Sequence, residues 1–412
     1  MEIITKNTQY YKFCLYGFLK NFRFFDAFFI LFLVDKGLTY TEIGMLYAIR
    51  EIVINLFEIP SGIIADTYGR RNTLAFSFLI FILSFIVFYF SNSFWIFLFA
   101  FVFFGIADAF RSGTHKGMIM DYLKLNHWED QKINYYGHTR SWSQKGSALS
   151  ALMAGLIVFY SGNYESIFLY SIIPYLLNFL LILSYPQNLN HSMKKDKNKS
   201  RLLNTMKSFT IIIKQPRVLQ IIHTSAVHTA YIKAVKDYIQ PLLLHIALII
   251  PLLLSMNAEK KSGIFIGMIY FIIYLLSSAA SKVAGRVAKS PRQNIPYLTL
   301  IIGFGSGLAC GLFYYFDLWF LSLIAFVAIF IIENIRKPIL TGYISDHVPN
   351  ELLTSVLSAQ SLLKTLITAL LALAFGIIAD HYGIGISFIL ISLLLLVITM
   401  GLNDRNRISH HS

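Results

Sequence analysis

Apolar runs long enough to cross a bilayer, about 20 residues each, recur along the whole chain with short polar connections between them. They fall near 12–34, 42–64, 73–91, 94–119, 138–160, 165–184, 218–246, 263–284, 296–315, 318–341, 354–379 and 384–402, numbered here as spans 1 to 12. Each predicts a helix, because a helix satisfies its own backbone polar groups in hydrocarbon. One polar connection is long, 186–217, and carries a basic run at Lys194–Arg201. It divides the spans six and six. The expected architecture is therefore an all-α membrane protein of twelve transmembrane helices: pseudo-symmetric six-helix bundles at 1–185 and 218–412, joined by a basic cytoplasmic linker at 186–217. The N-terminus runs into span 1 without a small-residue cleavage site, which predicts an uncleaved first helix.

Composition agrees with this pattern. Of 412 residues, 56% are hydrophobic and 14% charged, too little charge to cover a soluble surface. The 36 Phe and 24 Tyr read as lipid-facing packing and interfacial anchors. A net charge of +14 suggests nucleic acid only until it is located. Lys6, Arg70, Arg71, Lys124, Lys132, Lys282, Arg286, Lys289, Arg292, Arg405, Arg407 and the linker fall on one side, and Lys36, Lys260 and Lys261 on the other. By the positive-inside rule both termini are cytoplasmic, and the charge is mainly a topology signal that rests on anionic headgroups. No nucleic-acid partner is expected. The expected location is the bacterial inner (plasma) membrane, as a multi-pass protein. Cys14 and Cys310 lie in apolar runs, so neither a disulfide nor a thiol metal site is expected. No phosphate loop and no His-Glu-x-x-His sequence occurs, so neither a cofactor nor a metal is expected, and the chain does not read as an enzyme.

Internal repeats link the halves. Asp108-x-x-Arg111 with Asp121 in span 4 matches Glu333-x-x-Arg336 with Asp346 in span 10, and Lys20-x-x-Arg23 matches Lys233-x-x-Lys236. A finer repeat joins Gly62-Ile-Ile-Ala-Asp66 at the end of span 2 to Gly376-Ile-Ile-Ala-Asp380 at the end of span 11. Gly155 to Gly162 and Ser278 to Gly285 keep the seven-residue spacing of Gly62 to Gly69 and Gly376 to Gly383. Spans 2 and 11 run in opposite directions, the inverted arrangement used for alternating access.

Gly62, Asp66, Gly69, Arg70 and Arg71 close span 2 and open a tight turn on the basic side. Gly62 is expected to allow close helix approach and Gly69 the turn, with Arg70 and Arg71 held at the headgroups. With this motif the chain resembles the major facilitator superfamily, whose signature between helices 2 and 3 is Gly, three residues, Asp, two residues, Gly, Arg, then Arg or Lys. The resemblance, in span count and central linker, covers essentially the whole chain. Asp66 is expected to dock at the N-terminus of span 11 near Thr354 and Ser355 and to act as a gate. Leu353 to Gln360 and the small residues Ser112 to Thr114 are similar to the drug and metabolite efflux branch. Gly146–Gly155 lacks that branch's antiporter Gly-Pro pair.

The resemblance implies that spans 1, 4, 7 and 10 line a central cavity, and these are the spans that carry ionisable residues. A charge facing lipid costs at least about 2.5 kcal/mol, so such residues face a polar cavity or one another. The expected substrate-binding set is Arg23, Asp26, Asp108, Arg111, Lys236, Asp237, Glu333 and Arg336, with Asp108, Glu333 and Asp26 as proton-coupling carboxylates. Arg23 and Asp26, Asp108 and Arg111, and Glu333 and Arg336 are each three apart and share a helix face. Glu51, Asn55 and Glu58 form a polar stripe on span 2. An excess of Lys and Arg in the cavity favours a small anionic or zwitterionic substrate. The resulting expectation is a monomeric, proton-coupled secondary transporter in the lipid bilayer, with export favoured. Uptake of an organic anion by symport, and a non-transporting receptor or scaffold, are the alternatives.

Overall fold

A computed structural model describes residues 5–190, 216–250, 257–288, 295–347 and 350–409. Among these residues the regular structure is helical, without a strand. The first part of the chain forms α1 (Thr8–Leu19), α2 (Phe29–Asp35), α3 (Tyr40–Tyr68), α4 (Arg70–Phe90), α5 (Phe94–Arg111), α6 (Thr114–Leu125), α7 (Lys132–Ser161) and α8 (Ser166–Leu183). The second forms α9 (Pro216–Val235), α10 (Ile239–Ile249), α11 (Ala258–Ala288), α12 (Ile295–Tyr315), α13 (Trp319–His347), α14 (Asn350–Tyr382) and α15 (Ile384–Ser409). Eight segments of the described chain are long and apolar enough to cross a membrane: Arg70–Phe90, Phe94–Leu125, Ser166–Leu183, Ala258–Ala280, Ile295–Tyr315, Trp319–Lys337, Ala359–Tyr382 and Ile384–Leu402.

The hydropathy pattern predicts unbroken helices at spans 1, 4 and 7, and the structure interrupts all three. Span 1 becomes α1, a 3-10 turn at Phe24–Ala27, and α2. Span 4 breaks at Ser112 and Gly113, where Gly113 takes φ +74°. Span 7 breaks at a 3-10 turn, Lys236–Tyr238. Each break lies beside ionisable residues, and it frees backbone groups that must find partners inside a membrane. At the first break the Lys20 carbonyl accepts from Arg23 Nε and from the Tyr175 hydroxyl, both at 3.4 Å. Asn21 Nδ2 donates to the Ser143 carbonyl at 2.7 Å.

The described residues group into two compact units. The first is drawn from Met1–Lys36, Ile49–Asn198 and Ala247–Tyr274, and the second from Gly37–Ala48, Lys199–Ile246 and Leu275–Ser412. In the first, α4 packs along α5 and α8, and α1 along α7. Small residues permit the close crossings: a Cβ on Gly146 would lie 2.4 Å from the Phe18 carbonyl oxygen, and one on Gly155 would lie 2.5 Å from that of Gly263. Between the helices lies an aromatic core. Phe25, Phe29, Phe32, Phe85, Phe88, Phe101, Phe104 and Phe168 are buried, and the Phe168 ring lies 4.6 Å from Phe32, 4.9 Å from Phe88 and 5.8 Å from Phe25. This corrects the expectation that the phenylalanine excess serves the lipid face. Much of it fills the interior, where lipid supplies no hydrophobic drive and van der Waals packing does the work. Phe168→Ala is expected to cost about 3 kcal/mol through the cavity it leaves, measured as a lower unfolding midpoint in detergent.

In the second unit α12 packs along α13 and α15, and α9 along α14. Ile221, Ile222 and Ala226 of α9 meet Ile344 of α13 and Val356 and Ala359 of α14 in a buried apolar cluster. Cys14 and Cys310 are buried free thiols. The linker run Lys194–Arg201, Lys289 and Arg292, and the side chains of Lys282, Arg286, Asp346, Thr354, Ser355, Arg405 and Arg407, lie outside the described residues.

Candidate functional site

The first break gathers a charged cluster in the first unit. Arg23 and Asp26 stand on the interrupted span 1, with Arg23 Nη1 4.0 Å from Asp26 Oδ2. Asp108 and Arg111 close α5 one turn apart, and Arg111 Nη2 donates to Asp108 Oδ1. Asp108 lies within electrostatic reach of Arg23 and Arg50 as well. From the middle of α3, Arg50 Nη2 meets Glu51 Oε1 at 3.2 Å, and Glu51 is 1% exposed. Aromatic rings form the walls. Arg111 lies over Phe81 at 5.7 Å, Arg50 over Phe104 at 5.9 Å and Lys20 over Tyr16 at 5.7 Å. Such faces hold cations at a membrane depth where water is scarce. His115 stacks on Tyr16 at 3.6 Å, with Nε2 3.3 Å from the Tyr185 hydroxyl.

Four cations, Lys20, Arg23, Arg50 and Arg111, thus accompany three carboxylates, Asp26, Glu51 and Asp108. Arg111 Nε is buried without a hydrogen-bond partner among the described residues. The cluster can receive an anionic group. Arg50 escapes a reading based on the polar stripe Glu51, Asn55 and Glu58. Its signal is a guanidinium directly before Glu51, which gives the carboxylate a neighbouring countercharge.

The second unit holds two further groups. Asp237 sits at the break of span 7, with Oδ1 3.3 Å from Lys236 Nζ and Oδ2 accepting from the Tyr47 hydroxyl at 3.0 Å. Glu333 and Arg336 are both buried, at 2% and 1% exposure, yet the expected pair between them does not form. Glu333 Oε2 lies 2.8 Å from His228 Nδ1, Oε1 accepts from the Thr229 hydroxyl at 2.8 Å, and Lys337 Nζ stands 3.6 Å away. Arg336 instead donates to the carbonyls of Thr224 and Pro296 and to the Thr299 hydroxyl, all at 2.6 Å. Residues three apart share a helix face, but neighbouring helices offer both groups better partners. Arg336 is thereby a brace across α9, α12 and α13, and Glu333 is the member of the expected pair that keeps a proton-accepting partner.

The turn after α3 is built as its residue types require. Arg70 reaches Asp66 at 3.7 Å and Asp121 at 2.6 Å, over Gly117, where a Cβ would lie 2.4 Å from Arg70 Nη1. Gly69 takes φ +94°, and a Cβ there would strike Asn190 at 2.3 Å. Arg71 Nη1 donates to the Tyr185 carbonyl at 2.9 Å instead of projecting only to headgroups. At Gly62 a Cβ would meet nothing within 4 Å among the described residues, and the close approaches around this motif are at Gly69 and Gly117. The expected dock for Asp66, near Thr354 and Ser355, falls on side chains outside the described residues.

Interrupted apolar helices with charged groups at the breaks are an arrangement that membrane transporters use around a substrate site. The sequence model of the Major Facilitator Superfamily matches residues 21–370, and the chain belongs to that family. It is 23% identical over 377 residues to the uncharacterized MFS-type transporter YxaM of Bacillus subtilis (strain 168), covering 90% of this chain and 89% of the relative. In fold it is similar to a mutant of the nucleoside transporter NupG, with a TM-score of 0.76 and 14% identity over 95% of this chain and 99% of that one. It is also similar to a POT family transporter solved in complex with 5-aminolevulinic acid, with a TM-score of 0.72 and 14% identity over 96% of this chain and 95% of the other. Membership of this family points to transport, not to an enzyme.

Proposed function

We propose that the protein carries a small polar solute, anionic or zwitterionic, across the membrane by alternating access, with proton coupling and export favoured. The observation that carries the substrate class is the Lys20, Arg23, Arg50 and Arg111 group around three carboxylates. A partly dry cluster with more cations than carboxylates stabilises an incoming anionic group, and Asp26 and Asp108 remain as acceptors for a substrate cation. Asp108, Glu333 and Asp26 are the proton-coupling carboxylates of this reading, since a carboxylate can titrate during the cycle and Arg cannot. Support for Glu333 comes from its partner His228, which offers the proton a second residence.

The reading retains twelve spans in two bundles, 1–185 and 218–412, with both termini on the cytoplasmic face of an inner membrane. Support comes from the distribution of Lys and Arg among the loops. The efflux resemblance at Ser112–Thr114 and Leu353–Gln360 supports export. A thermal-shift screen of purified protein against anionic, zwitterionic and cationic compounds tests the substrate class. Stabilisation by the first two groups is expected, and stabilisation by lipophilic cations alone would overturn it. Everted and right-side-out vesicles then separate export from symport of an organic anion.

A further inference from the structure

The Gly-Ile-Ile-Ala-Asp sequence occurs twice, at Gly62–Asp66 near the end of α3 and at Gly376–Asp380 near the end of α14. The first belongs to the motif with Arg70 and Arg71. The second continues His381-Tyr382-Gly383-Ile384 and has no arginine after it, so it cannot build the same ion-pair cluster. Its aspartate does something else. Asp380 Oδ1 accepts the Tyr40 N–H and Oδ2 the Thr41 N–H, each at 2.7 Å.

These are the first amides of α3, which have no carbonyl partner within the helix, and a carboxylate there also meets the positive end of the helix dipole. The local sequence supplies a cap for other donors only. Thr39 Oγ1 accepts from Glu42 N–H at 3.2 Å, and Glu42 Oε2 accepts from Thr39 N–H at 2.9 Å, a reciprocal capping box. Asp380 takes the two amides that the box leaves over. The backbones touch beside it: a Cβ on Gly376 would lie 2.2 Å from the Tyr40 carbonyl oxygen, and one on Gly44 would lie 2.6 Å from that of Ala372. Deeper in, Tyr238 meets Tyr40 at 5.9 Å and Phe375 at 4.2 Å.

We propose that Asp380 is a latch holding the first turn of α3, a helix of the chain's first half, to the end of α14, a helix of its second half. The proposal rests on the alternating-access reading for the motion that opens it. Any separation of α3 from α14 at this end must break both hydrogen bonds, which lie at the exposed end of the two helices. The repeated pentapeptide thus has two uses. Asp66 sits with arginine at the C-terminal end of α3, while Asp380 grips the N-terminal end of the same helix from another segment.

The test needs no substrate, so its failure would leave the transport reading standing. In full-length protein in nanodiscs, with Cys14 and Cys310 replaced by alanine, Ala48→Cys on α3 reports opening by its rate of maleimide labelling. Ser77→Cys, buried on α4, is the control. Asp380→Ala is expected to raise labelling at position 48 roughly tenfold, the equivalent of one charge-assisted hydrogen bond, and to leave position 77 unchanged. Asp380→Asn, which keeps one good acceptor, should fall between and carries the test if the alanine variant does not fold. An unchanged rate at position 48, or an equal rise at position 77, would overturn the latch.

Discussion

Replacing Arg111 with alanine is expected to lower solute flux by about thirtyfold or more while the protein stays folded. Truncating one member of a hydrogen-bonded charge pair costs about 2–5 kcal/mol, much of it from the charge left behind. Asp108 would be that charge. Arg111 and Asp108 keep 15% and 27% of their side-chain surface exposed, so solvent relieves part of the cost and the lower end of the range applies. Arg111→Lys restores the charge without the planar fork and is expected to recover only part of the flux. Because the two residues act as a pair, Asp108→Asn combined with Arg111→Gln should lose less than the sum of the single changes. Flux into proteoliposomes of a compound chosen by thermal shift checks this, with gel filtration as the folding control. Unchanged flux in folded Arg111→Ala protein would remove the cluster from the substrate site.

Arg336 and Glu333, one helical turn apart, are expected to fail in different ways. Arg336→Ala removes a buried charge that braces the carbonyls of Thr224 and Pro296 and the Thr299 hydroxyl. The expected loss is about 3 kcal/mol or more of stability, read as a large fall in the unfolding midpoint in detergent. Glu333→Gln keeps the shape and an acceptor for Thr229, but removes the charge facing His228 and Lys337. It is expected to fold, and to carry solute down its own gradient without responding to a pH gradient. If both variants lost only stability, Glu333 would be structural and the coupling assignment would move to Asp108 or Asp26.

The all-helical fold was legible because hydropathy records long apolar helices directly: α4, α8 and α12 start and stop within a few residues of the predicted spans, and α15 starts at its predicted residue. The interruptions of spans 1, 4 and 7 were not, since a hydrophobic window averages over Lys20-Asn21-Phe22-Arg23, Ser112-Gly113 and Lys236-Asp237. In hindsight those polar pairs and quartets are the signal. The charged residues of the site could be found from their cost in a membrane, and the i, i+3 spacing located Asp108 with Arg111 correctly. The same spacing misled at Glu333 and Arg336, because the deciding groups, His228, Thr224 and the Pro296 carbonyl, come from other helices. Composition alone also could not tell a lipid-facing phenylalanine from Phe168, whose neighbours are set by packing of α8 against α2, α4 and the 3-10 turn at Phe24–Ala27.

Coupled transport of a small anionic or zwitterionic solute can be measured directly. Its most direct measurement is flux into proteoliposomes of the compound that stabilises the purified protein best, with and without an imposed pH gradient. Protein-dependent flux is expected to change with the gradient in wild type, to persist without that response in Glu333→Gln, and to be nearly lost in Arg111→Ala. Flux indifferent to pH in wild type would contradict coupling, and the absence of flux for every anionic and zwitterionic compound that binds would contradict transport of this solute class.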